Sequence, residues 1–140
     1  MRKIILFLLL VSTSISWSQK QNFSEEVLGK FAKAYIEVRT QNMNYQLNMI
    51  TAIEKAGLTS DSFNEIHMSL NDPNRENPTQ ENKLKYDNAL KNIKNLKKDI
   101  QKSIERIIED NGLKVETYQA IAEESSTNVT LKNKINNLIN

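Results

Sequence analysis

Cysteine is absent from this 140-residue chain, and histidine, proline and glycine are scarce, with one, two and three residues respectively. Without cysteine the chain can form neither a disulfide nor a thiolate metal site, and one histidine rarely builds a metal centre. Three glycines are too few for a phosphate-binding loop, and no Ser-His-Asp set can be assembled around His67. We therefore expect no enzymatic activity, no bound metal and no cofactor.

The N-terminal segment resembles a cleaved export signal. Arg2 and Lys3 precede the apolar run 4–11, and Ser16 and Ser18 form a small-x-small cleavage site. The apolar run is shorter than the roughly 20 residues that span a bilayer. We expect cleavage after Ser18, a periplasmic or extracellular location, and no transmembrane segment after cleavage. The alternative is an uncleaved N-terminal anchor.

Removing this segment changes the net charge. Arg2 and Lys3 leave with it, so 17 of the 19 basic residues remain against 17 acidic residues in the segment 19–140. A neutral chain has no general attraction for polyanions, so no nucleic-acid partner is expected. The expected partner is instead an unidentified protein or envelope component. A chain of this length can fold as one domain without disulfides.

The expected mature chain contains an internal repeat with an offset of 55 residues. The stretch 53–58 (IEKAGL) recurs without a gap as 108–113 (IEDNGL). A shared period of this kind is evidence about architecture. We interpret the chain as two copies of one unit, at about 24–70 and 79–125. A linker at 71–78 joins the copies, and a terminal helix follows at about 128–139.

Apolar residues recur at heptad spacing in each copy, which predicts a long amphipathic helix. The two apolar seams are Phe31, Tyr35, Val38, Tyr45, Met49, Ala52 and Ala56, and Tyr86, Leu90, Ile93, Ile100, Ile104 and Ile107. Ser24 and Thr79 are suitable N-caps, so the long helices should occupy about 24–56 and 79–111. The fold class is therefore predicted to be an all-α helical bundle.

Each long helix is predicted to end at a glycine elbow. A left-handed glycine just past a helix lets the next residue pack back onto the third residue from the helix end. The elbow residues are Ile53, Gly57, Leu58, Ile108, Gly112 and Leu113. Short helices should follow at 60–70 and 115–124, with the chain broken again at 125–128. This interpretation explains the repeated residues without an active site.

The lengths of the segments predict how the copies pack. A long helix carries the chain about 50 Å along its axis. The short helix can carry it back by roughly 16 Å, and the linker can span at most about a further 28 Å. The second long helix would then begin close to the level at which the first begins. We therefore expect parallel long helices that bury the Phe31 and Tyr86 seams together. An antiparallel pair would result if the short helix folded sideways.

Four segments of this pattern resemble a family of secreted bacterial proteins, domain of unknown function 4168. They are FAKAY at 31–35, GLTSDSFNEI at 57–66, DPN at 72–74 and GLKVETYQAI at 112–121. The resemblance covers almost the whole expected mature chain. It implies an export signal and an all-helical fold, and it supplies no catalytic residue. Lys114 and Asn128-Val129 depart from the family pattern, and we expect weaker local helix caps there.

Three residues are weak functional candidates. Glu54 and Glu109 are identical in both copies and lie near helix C-termini, where the helix dipole disfavours a carboxylate. They are either solvated or paired with a lysine from another helix or a cation. His67 is either a packed or half-exposed histidine or, together with Met68, Met43 and Met49, a soft ligand for copper.

A lysine cluster and two interruptions of the seams complete the candidates. The lysines at 91, 94, 98 and 102 fall within about 80° on the side opposite the second seam. They form either a solvated face or a weak contact with an acidic surface. Asn42 and Lys97 interrupt the two seams, as polar residues that fix the register or as buried functional groups.

We expect a secreted or periplasmic interaction or envelope-maintenance protein. The alternative is a periplasmic holdase-type chaperone with an apolar or basic concave surface between helices, and the third hypothesis is a small-ligand or metal-binding bundle. Exposed apolar patches would favour the holdase, and a closed polar exterior would favour the interaction module. Convergence of Glu54 and Glu109 would favour the metal site.

Overall fold

Five α-helices make up the part of the chain that the computed structural model describes, residues 22–140. Helices α1 to α5 are Glu25–Lys55, Ser60–Asn71, Gln80–Asp110, Val115–Thr127 and Val129–Ile139. The all-α fold expected from the heptad pattern is therefore confirmed. The predicted export signal and its cleavage site at Ser18 lie outside the described residues.

The long helices begin at the predicted N-caps. The hydroxyls of Ser24 and Thr79 each accept a hydrogen bond from the backbone N–H three residues on, at 3.3 and 3.2 Å. Thr59 and Ser62 form a reciprocal capping box at the start of α2. Lys114 supplies no side-chain cap to α4, as expected from its departure from the family pattern. The capping side chains accept hydrogen bonds from backbone N–H groups in the first turn, which have no partner within the helix.

Both long helices end at glycine elbows of the predicted geometry. Gly57 and Gly112 have φ values of 79° and 76°, in the left-handed region where a side chain is strained. The backbone N–H of the following leucine donates to the carbonyl of Ile53 at 3.2 Å in the first elbow and of Ile108 at 3.1 Å in the second. The 6→1 hydrogen bond and the buried leucine are the features of a Schellman motif. The same hydrogen bonds thus occur at positions 55 residues apart.

The long helices pack antiparallel, so the expectation of a parallel pair is wrong. Phe31, near the start of α1, shares a core cluster with Ile108 at the end of α3. Tyr86, near the start of α3, shares another cluster with Ile53 at the end of α1. Helix α2 contacts both long helices and turns the chain sideways at the end of α1, so it does not return along α1 as the segment lengths predicted. Phe31 and Tyr86 therefore lie at opposite ends of the molecule, and the two seams face each other in opposite directions.

Two core clusters hold the antiparallel pair together, one at each end. The first core cluster is built on the buried residues Leu28, Phe31, Val38, Ile108, Leu113, Ile121, Leu131 and Ile135. The second core cluster is built on the buried residues Ile53, Leu58, Ile66, Tyr86 and Ala89. Between the clusters the packing is thinner, since every residue from Asn42 to Asn48 except Tyr45 is exposed. Each cluster combines one end of α1 with the opposite end of α3.

The C-terminal helices differ from the prediction in two details. The segment predicted as a break, 125–128, is helical up to Thr127, and the side chains of Ser125 and Ser126 donate back to backbone carbonyls three residues earlier. Only Asn128 lies between α4 and α5. Its side chain caps α5 by accepting a hydrogen bond from Leu131 at 3.1 Å, so the weaker cap expected there is wrong. Helix α5 then packs on α1 and α4.

Candidate functional site

A lysine covers each glycine elbow. The Lys85 side chain lies 3.7 Å from where a Cβ would stand at Gly57, and the Lys30 side chain lies 3.6 Å from the same position at Gly112. Each lysine also forms an ion pair with the glutamate four residues earlier, at 2.7 Å for Lys30 and 2.6 Å for Lys85. The pKa of each of these glutamates is lowered by the lysine beside it. The elbows are therefore structural joints, in which lysine stems pack and the charged ends stay solvated.

Lys30 and Lys85 were not predicted as elbow residues, although the sequence contains a signal for them. Lys30 and Lys85 are identical at the repeat offset, as are Glu26 and Glu81. Identity outside the buried core is informative, because Lys30 and Lys85 are only half-buried and Glu26 and Glu81 are exposed. Here it marks the contact between each long helix and the opposite elbow.

The structure separates the two repeated glutamates. Glu54 and Glu109 are both exposed, one at the C-terminal end of α1 and the other at that of α3. Because the helices are antiparallel, these ends are separated by about 40 Å or more along the pair. The two carboxylates do not form a common site. Within residues 22–140, no group of three or more His, Asp and Glu side chains is arranged to hold a metal ion.

His67 forms a specific contact that the sequence did not predict. Its Nδ1 lies 2.7 Å from the hydroxyl of Tyr86, which itself stacks on Phe63 with ring centroids 4.8 Å apart. At the positions related by the repeat, phenylalanine (Phe31) and alanine (Ala122) replace the tyrosine and the histidine. The hydroxyl and its imidazole partner therefore occur together in one half of the molecule. His67 is itself exposed, and this contact supports its interpretation as a packed or half-exposed histidine.

An equivalent aromatic contact lies at the other end of the molecule. Phe31 and Tyr118 have ring centroids 4.8 Å apart, and Tyr35 stacks on Phe31 at 6.0 Å. Burial, with a smaller contribution from the neighbouring Tyr35, raises the pKa of Tyr118 to about 12. The phenol is thus held in its neutral form, which suits a packing role.

The predicted lysine face is present on α3. Lys91, Lys94, Lys98 and Lys102 are exposed, and the first three, together with Lys97, line a shallow open depression along the helix. Lys97 and Asn42, which interrupt the seams, are both exposed, so neither is a buried functional group. The α3 lysine face is a solvated surface with a local excess of positive charge.

An apolar stripe is exposed on the outer side of α1. The outer α1 stripe consists of Ile36, Met43, Leu47 and Ile50, which are 46, 58, 62 and 41% exposed. At 100° per residue these side chains fall within about 60°, centred roughly 145° from the core-facing seam. The equivalent residues of the second copy are Lys91, Lys98, Lys102 and Glu105. The long helices thus share their buried side and differ on their outer side.

The stripe was missed because the stronger seam on the same helix took precedence. A second heptad series was nevertheless present at positions 36, 43 and 50. Clustered exposed apolar side chains on a folded protein mark surfaces that bind other molecules. The outer α1 stripe is therefore the best candidate for a functional site in the described part of the chain.

Comparison with known proteins identifies the class to which this all-α chain belongs. A family model described as a domain of unknown function (DUF4168) matches residues 24–135. The chain therefore belongs to this family, as its elbow residues indicated. No curated protein and no solved structure matches it. Among residues 22–140 we also find no helix with the length and apolar character needed to cross a membrane.

Proposed function

We propose that this protein is an exported, non-enzymatic interaction module that binds a protein partner through the outer α1 stripe. The observation that carries the proposal is the contrast between equivalent positions on the long helices. Met43 and Leu47 are more than half exposed on α1, whereas lysines occupy the same positions on α3. Exposed apolar side chains lose hydration when a partner covers them, which favours binding.

The titratable candidates support a role without catalysis. His67 is engaged by Tyr86, and Glu54 and Glu109 lie at opposite ends of the molecule. A pair of catalytic carboxylates has to reach the same substrate, and the separation of Glu54 and Glu109 prevents this. The module is accordingly expected to act by binding.

A holdase-type chaperone is the second candidate, because the exposed apolar side chains are compatible with client binding. Besides the outer α1 stripe, Met68, Leu70 and Leu84 are 43, 38 and 61% exposed. The stripe lies on one convex helix, however, and does not line a concave surface between helices. A convex stripe suits a flat or helical partner better than an extended client chain.

Site-specific photocrosslinking tests both candidates. A photoreactive residue at position 43 should capture one or a few envelope proteins, whereas the same residue at the equivalent position 98 should capture none of them. Capture of many unrelated unfolded proteins, with suppression of client aggregation that is lost in Met43→Lys/Leu47→Lys, would support the holdase. Equal capture from both positions would contradict the proposed binding surface.

Export is tested separately from binding. We expect the protein recovered from the envelope or the medium to begin at Gln19, because the small-x-small site ends at Ser18. Intact-mass analysis of the recovered protein distinguishes this from retention of the first 18 residues. A full-length mass would support the alternative of an N-terminal anchor.

A further inference from the structure

We propose that the occupant of the outer α1 stripe is a second copy of this chain, bound with its α1 antiparallel. The inference rests on the proposed function, because it names the partner of the same surface. The stripe extends over 14 residue steps, or about 21 Å of helix, with Met43 at its midpoint. Rotation by a two-fold axis through that midpoint places Ile36 of one copy opposite Ile50 of the other. The apolar series Ile36, Met43 and Ile50 is therefore complementary to itself, and Leu47 of each copy lies opposite the aliphatic stem of Arg39 of the other.

The charges that bound the stripe select this orientation. Lys33 precedes the stripe and Glu54 follows it, and both side chains are exposed. Neither residue forms an ion pair within the described part of the chain. In an antiparallel pair centred near Met43, Lys33 of each copy falls beside Glu54 of the other, at both ends of the stripe. A parallel pair would instead place like charges together, which is unfavourable.

A second copy accounts for Glu54 better than any contact within one molecule. A carboxylate near a helix C-terminus is disfavoured by the dipole, and a lysine from another helix offsets that effect. Lys33 and Glu54 lie 21 residues apart on one straight helix, about 32 Å, so they cannot meet within a single chain. The pairing therefore requires two molecules.

A membrane surface fits the stripe less well. Interfacial helices combine an apolar face with lysine and arginine on adjoining positions. Here the exposed lysine cluster lies on α3, opposite the seam that packs on α1, so the apolar and basic surfaces face different sides of the helix pair. The side chains beside the outer α1 stripe carry both signs of charge, such as Arg39 and Glu54.

Analytical ultracentrifugation of the purified protein from Gln19 onward tests the dimer. We expect a reversible dimer whose Kd rises at least about tenfold in Met43→Lys/Leu47→Lys, since central apolar contacts dominate interfaces. Lys98→Glu/Lys102→Glu, at the equivalent positions of α3, should leave the Kd unchanged. Circular dichroism verifies that each variant remains helical.

Charge reversal provides the sharper test. Lys33→Glu and Glu54→Lys should each weaken the dimer by about threefold to tenfold, and the double variant should restore it, because two exposed ion pairs reform. A protein that is monomeric at all concentrations, or a dimer unaffected by the stripe variant, would overturn the inference. Binding of the monomer to anionic lipid vesicles through the stripe would also overturn it. Crosslinking from position 43 to a different envelope protein, with a monomeric purified chain, would refute the dimer and leave the proposed function intact.

Discussion

Lys30 lies across Gly112, with its Cε atom 3.6 Å from the position that a Cβ would occupy at this glycine. The contact is ordinary van der Waals distance to a flexible side chain, so an added methyl group has room. The requirement for glycine therefore comes from the backbone, whose φ of 76° is unfavourable for any residue with a Cβ. Lys85 and Gly57 repeat the relationship at the other end of the molecule.

We predict that Gly57→Ala and Gly112→Ala each lower the free energy of unfolding by about 1–2 kcal/mol, the cost of a left-handed alanine. Gly29→Ala is the matched control, since Gly29 lies within α1 and nothing stands within 4 Å of its added Cβ. That control should stabilise the protein by about 0.5–1 kcal/mol. Urea denaturation of the three variants measures these differences. Unchanged stability in both elbow variants would contradict the elbow assignment.

The hydrogen bond between His67 and Tyr86 should appear as a coupling in a double-mutant cycle. We predict that His67→Ala and Tyr86→Phe are coupled by about 0.5–1.5 kcal/mol, because either change removes the same bond. Equilibrium unfolding of the two single variants and the double variant gives the coupling. In a matched comparison, Phe31→Tyr and Ala122→His introduce the same two residues at the equivalent positions. This variant tests whether the hydrogen bond can form at the other end of the molecule. Strict additivity of His67→Ala and Tyr86→Phe would show that the bond does not contribute to stability.

Stability should decline at alkaline pH through Tyr118. Its pKa is about 12 in the folded protein, mainly because of burial, whereas a tyrosine in an unfolded chain titrates near 10. Because the folded state holds this proton more tightly, the stabilising contribution is complete below about pH 10 and is lost as the pH rises toward 12. The free energy of unfolding of Tyr118→Phe should therefore fall less than that of the wild type between about pH 9 and about pH 12, the range of this titration. Parallel pH profiles for the two proteins would argue against the raised pKa.

Distances between spin labels test the antiparallel pair, and the absence of cysteine makes labelling straightforward. Labels at the exposed positions Lys33 and Asn88 would be adjacent in a parallel pair. In the antiparallel pair they should be separated by on the order of 30 Å along the helices. Labels at Lys33 and Glu109 should instead lie within about 20 Å, since both positions belong to the same end of the pair. The reverse pattern would restore the parallel arrangement.

The local features of the fold could be predicted from the sequence because they depend on neighbouring residues. Ser24 and Thr79 specify helix starts through one side-chain bond, and Gly57 and Gly112 specify helix ends through one backbone conformation. The helix bounds were accordingly correct to within one residue at both ends of α1 and α3. Such signals act over a few residues and need no knowledge of packing.

The direction of packing could not be predicted in the same way. Chain reach permits both arrangements, and the outcome depends on which seam α2 meets after the elbow. Phe63 stacks on Tyr86, so α2 draws the start of α3 toward the end of α1. The outer α1 stripe was missed for a related reason: a heptad series shows that residues share one side of a helix, and only the packed structure shows which side is covered.

The two core clusters differ in how far apart their residues lie along the chain. The second core cluster draws on the single continuous stretch 49–93, whereas the first joins 23–38 to 104–139. Closing a longer loop costs more entropy, so we expect the hairpin formed by the end of α1, α2 and the start of α3 to associate first. The start of α1 should then associate last with the end of α3, α4 and α5. We expect this end of the molecule also to open first in hydrogen exchange. Folding of this protein is therefore completed only when its C-terminal helix is available.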